Sequence, residues 1–159
     1  MSQSLNNLNI YNEFGADVSS SQAKQVVQTT YDRQLDTLTK LFKLIVTTIK
    51  EKWSKFMATI DDNLAKLKNR IDVSGNGGGS NLLRQAYFKM EQVKKFDNPM
   101  KRVLMKANMI FSKARNSSNP QLIMQAKEQL KEQRQIQKNT IDSAKTVLEE
   151  SKAMLKNKR

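Results

Sequence analysis

The 159-residue chain contains no cysteine and no histidine. Without cysteine it can form no disulfide, no thiolate nucleophile and no cysteine-type zinc site. Without histidine it has neither the most common general base nor the most common metal ligand of proteins. An enzyme made from this sequence would depend on carboxylates, lysines, tyrosines and hydroxyls alone. We therefore predict a protein that is not an enzyme, with no catalytic residue, no metal site and no cofactor.

Of the residue patterns in this sequence, the pairs of acidic residues most resemble a metal-binding or catalytic motif. Asp32 and Asp36 lie one helical turn apart, as metal-binding carboxylates can. Asp36 also precedes Lys40 by four residues, which is the spacing of a surface ion pair on a helix. The adjacent carboxylates at 61–62 and 149–150 point to different sides of a helix. We interpret all of these acidic residues as parts of solvated helix faces.

Long apolar runs are absent too. No run of about 18 uncharged apolar residues exists, which excludes a membrane-spanning helix. The most apolar stretch, residues 41–49, contains Lys43 and is followed by Lys50. The N-terminus does not have the basic, then apolar, then small-residue order of a signal peptide. We expect a protein that is not secreted, located inside the cell (in the cytoplasm or with nucleic acid) or inside a virion.

Proline occurs twice and glycine five times, and neither interrupts the chain from about residue 19 to 71. Over this stretch apolar residues recur every three or four positions, the spacing of a helix that pairs with another helix. The seam residues are Leu35, Leu38, Phe42, Ile45, Ile49, Trp53, Phe56, Ile60 and Leu67. A helix of about 50 residues is about 75 Å long. We expect so long a helix to pair with a helix of this chain or of another chain.

Four of the five glycines lie in residues 74–80, which read S-G-N-G-G-G-S. Their conformational freedom predicts a flexible joint or a wide turn, either natural or an engineered linker. A phosphate-binding loop is excluded, because no strand precedes the segment and no Gly-Lys-Ser/Thr follows it. Residues 1–18 are polar and have no helical period. We expect them to form a flexible N-terminal arm, or a docking arm that orders on a partner.

Two Asn-Pro pairs divide the chain after the joint into three helices. The predicted helices cover about 81–97, 99–115 and 120–157, with each asparagine as an N-cap and each proline at the first helical position. Together with the coiled-coil helix over 19–73, they predict an all-α fold. We expect an elongated antiparallel helical bundle in which one very long helix, about 20–72, is followed by two short helices and a second long one.

The apolar stripe of the last helix is thin. Its middle is polar, with Gln133 and Gln137 at positions where the spacing calls for hydrophobic residues. Between residues 127 and 140 the strong hydrophobic residues are Leu130 and Ile136. We therefore expect this helix to be the least stable one on its own.

The net charge of +13 is unevenly distributed. Residues 1–75 carry ten basic and eight acidic residues, whereas residues 76–159 carry 18 and seven. The densest part is 81–115, with nine basic and two acidic residues. The candidate polyanion-binding residues are Lys94, Lys95, Lys101, Arg102, Lys106, Lys113 and Arg115. Such a row of cations suits the phosphates of a nucleic-acid backbone and contains no code for particular bases.

The charge pattern is compatible with three functions. The first is a structural or assembly protein whose basic region binds nucleic acid without sequence specificity, as part of a nucleoprotein or virion-like assembly. The second is an adaptor or scaffold that uses the seam residues and has no nucleic-acid role. The third is a peripheral binder of anionic membranes through the basic helix 99–115. As partners we expect other protein chains, in a homo- or hetero-oligomer formed through the long helix, and nucleic acid rather than a membrane.

Aromatic and methionine side chains accompany the charges. We interpret Tyr87, Phe88 and Phe96 as core residues, with stacking on nucleic-acid bases as the alternative. Met105 and Met109 lie off the main apolar face of the helix 99–115. We interpret them as packing within the bundle, with contact to a protein partner as the alternative.

Residues 114–123 resemble the turn of type III secretion needle subunits, which are small helical hairpins that polymerise. The resemblance covers only this turn and the length of the helix after it. The second helix of those subunits has an aromatic and asparagine-rich signature, whereas residues 133–137 of this chain read Q-R-Q-I-Q. No role is carried over from that family to any residue.

Overall fold

The computed structural model describes the backbone of residues 20–74 and 78–156 and the side chains of residues 30–74 and 81–156. Every element in these ranges is helical, which confirms the predicted all-α helical fold. The elements are α1 (Ser20–Thr47), a π-helical turn (Thr48–Trp53), α2 (Ser54–Ser74), α3 (Gly78–Lys94), α4 (Asp97–Arg115) and α5 (Pro120–Lys156). The elongated antiparallel arrangement of the whole chain stays a prediction.

The chain folds as two compact units. Of the described residues, unit 1 contains 20–43 and 107–132, and unit 2 contains 44–74, 78–106 and 133–156. Residues on both sides of the glycine-rich joint therefore belong to unit 2. The predicted arm, 1–18, and residues 75–77 of the joint lie outside the described part of the chain.

Unit 1 is held together by aliphatic packing and two aromatic contacts. The rings of Phe42 and Phe111 stack with centroids 4.2 Å apart and planes 5° from parallel. The Tyr31 hydroxyl donates a hydrogen bond of 2.6 Å to the carbonyl of Ser117, which fixes α1 to the turn before α5. The buried apolar residues of this unit are Leu38, Ala107, Phe111, Ala114, Ile123, Ala126 and Leu130. On α4 and α5 they recur every three or four residues, so each of these helices contributes one apolar stripe, whereas α1 contributes Leu38.

Unit 2 is built around α3. Helices α2 and α3 pack against each other. They run in opposite directions, because three residues join them and Lys94 at the end of α3 meets Asp61 of α2. On α5, the Ser151 hydroxyl donates a buried hydrogen bond of 2.7 Å to the Ala86 carbonyl of α3. The most deeply buried apolar residues of this unit are Ile45, Ile60, Leu83, Ala86, Val93, Met100, Val103 and Ala144.

The π-helical turn carries buried seam residues. Ile45, Ile49 and Trp53 are separated by two consecutive steps of four, and all three are buried. In an α-helix of 3.6 residues per turn, two such steps move a side chain away from the common face. A π-helical turn holds more residues per turn, which rotates Trp53 back toward that face. The Ser54 N–H and hydroxyl both donate to the Ile49 carbonyl five residues back, the hydroxyl at 3.0 Å.

The helix starts after the joint differ from the predicted ones. Helix α4 begins at Asp97, two residues before Pro99, so Asn98 lies in its first turn and is not the predicted N-cap. The first turn tolerates Pro99 because N–H groups there have no acceptor within the helix. A carboxylate at Asp97 is favourable near the positive end of the helix dipole. Helix α3 begins at Gly78, three residues before the predicted start.

The second Asn-Pro start is confirmed. The Asn119 side-chain oxygen accepts a hydrogen bond of 3.0 Å from the Gln121 N–H, and Pro120 is the first residue of α5. Asn119 therefore supplies an acceptor that the first turn of a helix otherwise has to find in water.

Candidate nucleic-acid interface

All seven predicted polyanion-binding residues are exposed. Five belong to unit 2, at the end of α3, in the turn after it and on α4: Lys94, Lys95, Lys101, Arg102 and Lys106. The other two, Lys113 and Arg115, belong to unit 1 and lie in the last turn of α4. Cations are favourable there, since a helix C-terminus carries partial negative charge.

Two of the five predicted residues in unit 2 are paired with carboxylates of their own chain. Lys94 Nζ lies 2.7 Å from Asp61 Oδ1. The hydrogen bond and the negative charge of Asp61 raise the pKa of Lys94 above its ordinary value of 10.5. A raised pKa means that the pair contributes to stability below the ordinary lysine value and loses this contribution as the pH rises through the folded-state value. Both partners are exposed, so solvent and salt screen the pair.

The second pair lies within α4. Lys101 Nζ is 3.2 Å from Asp97 Oδ2, one helical turn earlier. The other oxygen of Asp97 accepts a hydrogen bond of 2.8 Å from the indole Nε1–H of Trp53. This carboxylate is therefore held by the core of unit 2, and Lys101 is partly neutralised by it. A phosphate that binds Lys101 competes with Asp97.

The other three predicted residues of unit 2 are not neutralised. Among the described residues, no carboxylate lies within ion-pair distance of Lys95, Arg102 or Lys106. Arg102 and Lys106 are four residues apart on α4, hence about 6 Å apart along the helix axis and on one face. In unit 1, the exposed Lys113 and Arg115 have no ion-pair partner among the described residues either. Of the seven predicted residues, these five can bind an external polyanion without displacing an internal partner.

Three apolar side chains near the charges lie in solvent, against the prediction. Phe88 is 63% exposed, although its neighbour Tyr87 meets it edge to face at 6.3 Å and is half-buried, as is Phe96. Met105 is 57% and Met109 66% exposed. The interpretation of Phe88 as core and of both methionines as bundle packing was therefore wrong. Helix α4 buries the face that contains Met100 and Val103, and both methionines lie away from it.

The seam residues pack inside the chain itself. Leu38, Ile45, Ile49, Trp53, Ile60 and Leu67 are buried, while Leu35, Phe42 and Phe56 are half-buried. Their role in joining other chains stays a prediction. Because the chain's own helices already cover most of them, an interface on this long helix would have to use its exposed residues, such as Leu44, 46% of which is accessible.

Unit 2 also contains a basic groove that the sequence did not reveal. We call it the cationic groove; its volume is about 400 Å³. It lies between the π-helical turn with the start of α2 and the middle of α5. The charged lining residues are Lys52, Arg134, Lys138, Lys145 and Asp142, and the others are Thr48, Trp53, Phe56 and Ile141. The only sequence signal is the spacing of Arg134, Lys138 and Lys145, which repeats at four and seven residues and so marks one helix face.

Arg134 links the groove to a buried polar network. Its Nη1 donates hydrogen bonds to Gln137 Oε1 at 2.5 Å and to Thr48 Oγ1 at 3.2 Å. Gln137 is fully buried, and its Nε2 donates a hydrogen bond of 3.0 Å to the Ile45 carbonyl. The Thr48 hydroxyl in turn donates a hydrogen bond of 2.7 Å to the Leu44 carbonyl. The network joins the polar middle of α5 to the segment that leads into the π-helical turn.

Within the described residues, no group of three or more carboxylates lies close enough together to hold a metal ion. No helix in that part of the chain is long and apolar enough to cross a membrane. No protein-family profile, curated protein or solved structure matches the chain. The chemistry of its own residues therefore carries the functional inference.

Proposed function

We propose that this chain is a non-enzymatic helical assembly protein that binds nucleic acid through the phosphate backbone without reading base sequence. The observation that carries the proposal is the pair Arg102 and Lys106, which are exposed on one face of α4 without carboxylate partners among the described residues. Lys95 adds a third such cation in unit 2. In unit 1, Lys113 and Arg115 present unpaired charge as well.

Non-specific contact follows from the kind of side chain present. Lysine and arginine reach phosphate oxygens at any sequence, and each contact releases a counterion from the nucleic acid. Binding of this kind weakens steeply as salt concentration rises. The net charge of +13 also favours encounter with a polyanion through long-range attraction.

The test is the affinity for a fluorescent duplex DNA, measured by anisotropy between about 50 and 200 mM salt. The variant reverses both cations, Arg102→Glu with Lys106→Glu. The control reverses two exposed cations of α2 in the same unit, Lys68→Glu with Arg70→Glu. Both variants change the net charge equally, so a general charge effect cancels in their comparison.

We expect the slope of log affinity against log salt to become shallower by about two in the α4 variant, since each phosphate contact contributes about 0.9 to it. The control variant should keep the wild-type slope. Absence of binding at low salt would overturn the proposal, and so would equal slopes for the two variants. Vesicles of anionic and neutral lipid, tested in parallel, separate this function from peripheral membrane binding.

The proposed setting is a nucleoprotein particle or a virion-like assembly, inside a cell or inside the particle. A small basic protein without cysteine does not depend on an oxidising compartment. Its cations can neutralise packaged nucleic acid while its helices build the protein layer. Oligomerisation through exposed residues of the long helix belongs to this proposal.

A protein-binding scaffold is the second candidate, and the exposed Phe88 favours it. A phenylalanine that is 63% exposed leaves apolar surface in water that a protein partner can cover. A Phe88→Ser variant should then lose self-association or partner binding in light scattering, while its duplex affinity stays unchanged. Unchanged assembly of this variant would exclude Phe88 as the contact.

A further inference from the structure

The cationic groove of unit 2 holds more positive charge than its own residues neutralise. Lys52, Arg134, Lys138 and Lys145 line it together with a single carboxylate, Asp142. Among the described residues, none of the four cations has a carboxylate within ion-pair distance. The groove shares no residue with the basic face of α4, so its charge is a separate feature.

Among the four cations, Arg134 is the one most affected by the excess of positive charge in the groove. It is half-buried, both acceptors of its Nη1 are neutral groups, and its Nε is buried without a hydrogen-bond partner. Removing a guanidinium from water without a nearby counter-charge is unfavourable. Lys138, one helical turn further along α5, adds repulsion. A bound anion would remove this cost, and arginine is the side chain best suited to bind phosphate oxygens.

The groove is not built for a bare inorganic anion. Phe56 and Ile141, both half-buried, give it an apolar wall, and Trp53 lies behind Phe56 with ring centroids 5.4 Å apart. A volume of about 400 Å³ is within the range of small-molecule sites. The π-helical turn carries Thr48, Lys52 and Trp53 into the wall, and such turns are frequent at functional sites.

We infer that the cationic groove binds a nucleotide, with the phosphates on Lys138, Lys145 and Arg134 and the base against Phe56. A flat apolar base attached to a multiply charged phosphate group matches both halves of the lining, whereas either half alone matches only one. The nucleotide is supplied either as a free molecule or as one unit of a single strand.

Trp53 makes the inference directly testable. It is the only tryptophan of the chain and it lines the groove, so a ligand bound there should change its fluorescence. The probes are ATP, inorganic pyrophosphate, adenosine and a short single-stranded oligonucleotide, each titrated into the full-length protein. We expect saturable quenching by ATP at concentrations at which pyrophosphate and adenosine give little. Tighter binding of the oligonucleotide per site than of ATP assigns the strand as the source, and the reverse assigns the free nucleotide.

The variant Lys138→Gln with Lys145→Gln removes two exposed cations of the groove. It should lower the affinity for ATP by about tenfold or more. The control Lys55→Gln with Lys68→Gln, on exposed sites of α2 outside the groove, should leave the affinity unchanged. Phe56→Leu keeps an apolar wall but removes the aromatic face. It should lower the affinity for ATP and leave the small fluorescence response to pyrophosphate unchanged.

Three results would overturn the inference. One is the absence of saturable quenching by ATP and by the oligonucleotide in the wild-type protein. Another is equal ATP affinity of the groove variant and its control, with both folded by circular dichroism. The third is pyrophosphate binding as tight as ATP, which would leave an anion site with no role for the base. The variant Arg102→Glu with Lys106→Glu should keep the ATP response, so failure here and failure of duplex binding are distinguishable.

Discussion

Replacing Gln137 by leucine tests whether the polar middle of α5 is a structural element. The residue is fully buried, and the change removes two hydrogen bonds. Loss of the bond from the charged Arg134 costs about 1.5–3 kcal/mol, and loss of the bond to the Ile45 carbonyl costs about 0.5–1.5 kcal/mol. Burial of the leucine side chain returns about 1.5 kcal/mol. The net loss of stability is about 2 kcal/mol.

The assay is thermal unfolding followed by circular dichroism. For a protein of this size, about 2 kcal/mol lowers Tm by about 4–8 °C. The control is Gln135→Leu, two residues earlier on the same helix, where the side chain is exposed and its 2.9 Å hydrogen bond to Asn139 lies at the surface. That change should move the stability by about 0.5 kcal/mol or less. If Gln137→Leu melts at or above the wild-type temperature, the buried network does not stabilise the fold.

Two further changes probe the core and the helix start. Ile60→Ala empties a fully buried position of unit 2 and should cost about 2–5 kcal/mol, seen as a lower urea midpoint, whereas Val73→Ala at an exposed site should stay within about 0.5 kcal/mol. Asn119→Ala removes the acceptor of the Gln121 N–H and should cost about 0.5–2 kcal/mol in a thermal melt, while Asn119→Asp, which keeps an acceptor, should retain most of the stability. Equal losses in the two Asn119 variants would argue against capping.

The helices could be predicted because their signals are local. Apolar residues every three or four positions and an Asn-Pro start act within a few residues of sequence, and α5 begins where this pattern places it. The same spacing predicts the buried side of α5, including Gln133 and Gln137 in its stripe. The prediction that α5 is the least stable helix on its own rests on hydropathy alone. Hydropathy cannot register that Gln137 and Ser151 bond to carbonyls of distant segments, at Ile45 and Ala86.

The candidate site could be predicted only in part. Composition located the exposed cations of α3 and α4, because a charged side chain stays in solvent wherever the chain folds. It gave no sign that Lys94 would meet Asp61, which is distant in sequence. The cationic groove was missed for the same reason, since Lys52 and Arg134 come together only through packing.

The most direct test of the proposed function is the nucleic-acid content of the full-length protein after purification at low salt, measured by absorbance and light scattering before and after the salt is raised. We expect nucleic acid to accompany the protein at low salt and to dissociate as the salt concentration increases. The variant Arg102→Glu with Lys106→Glu should retain less of it. A wild-type protein that is free of nucleic acid at low salt and does not bind added duplex would overturn the proposed function.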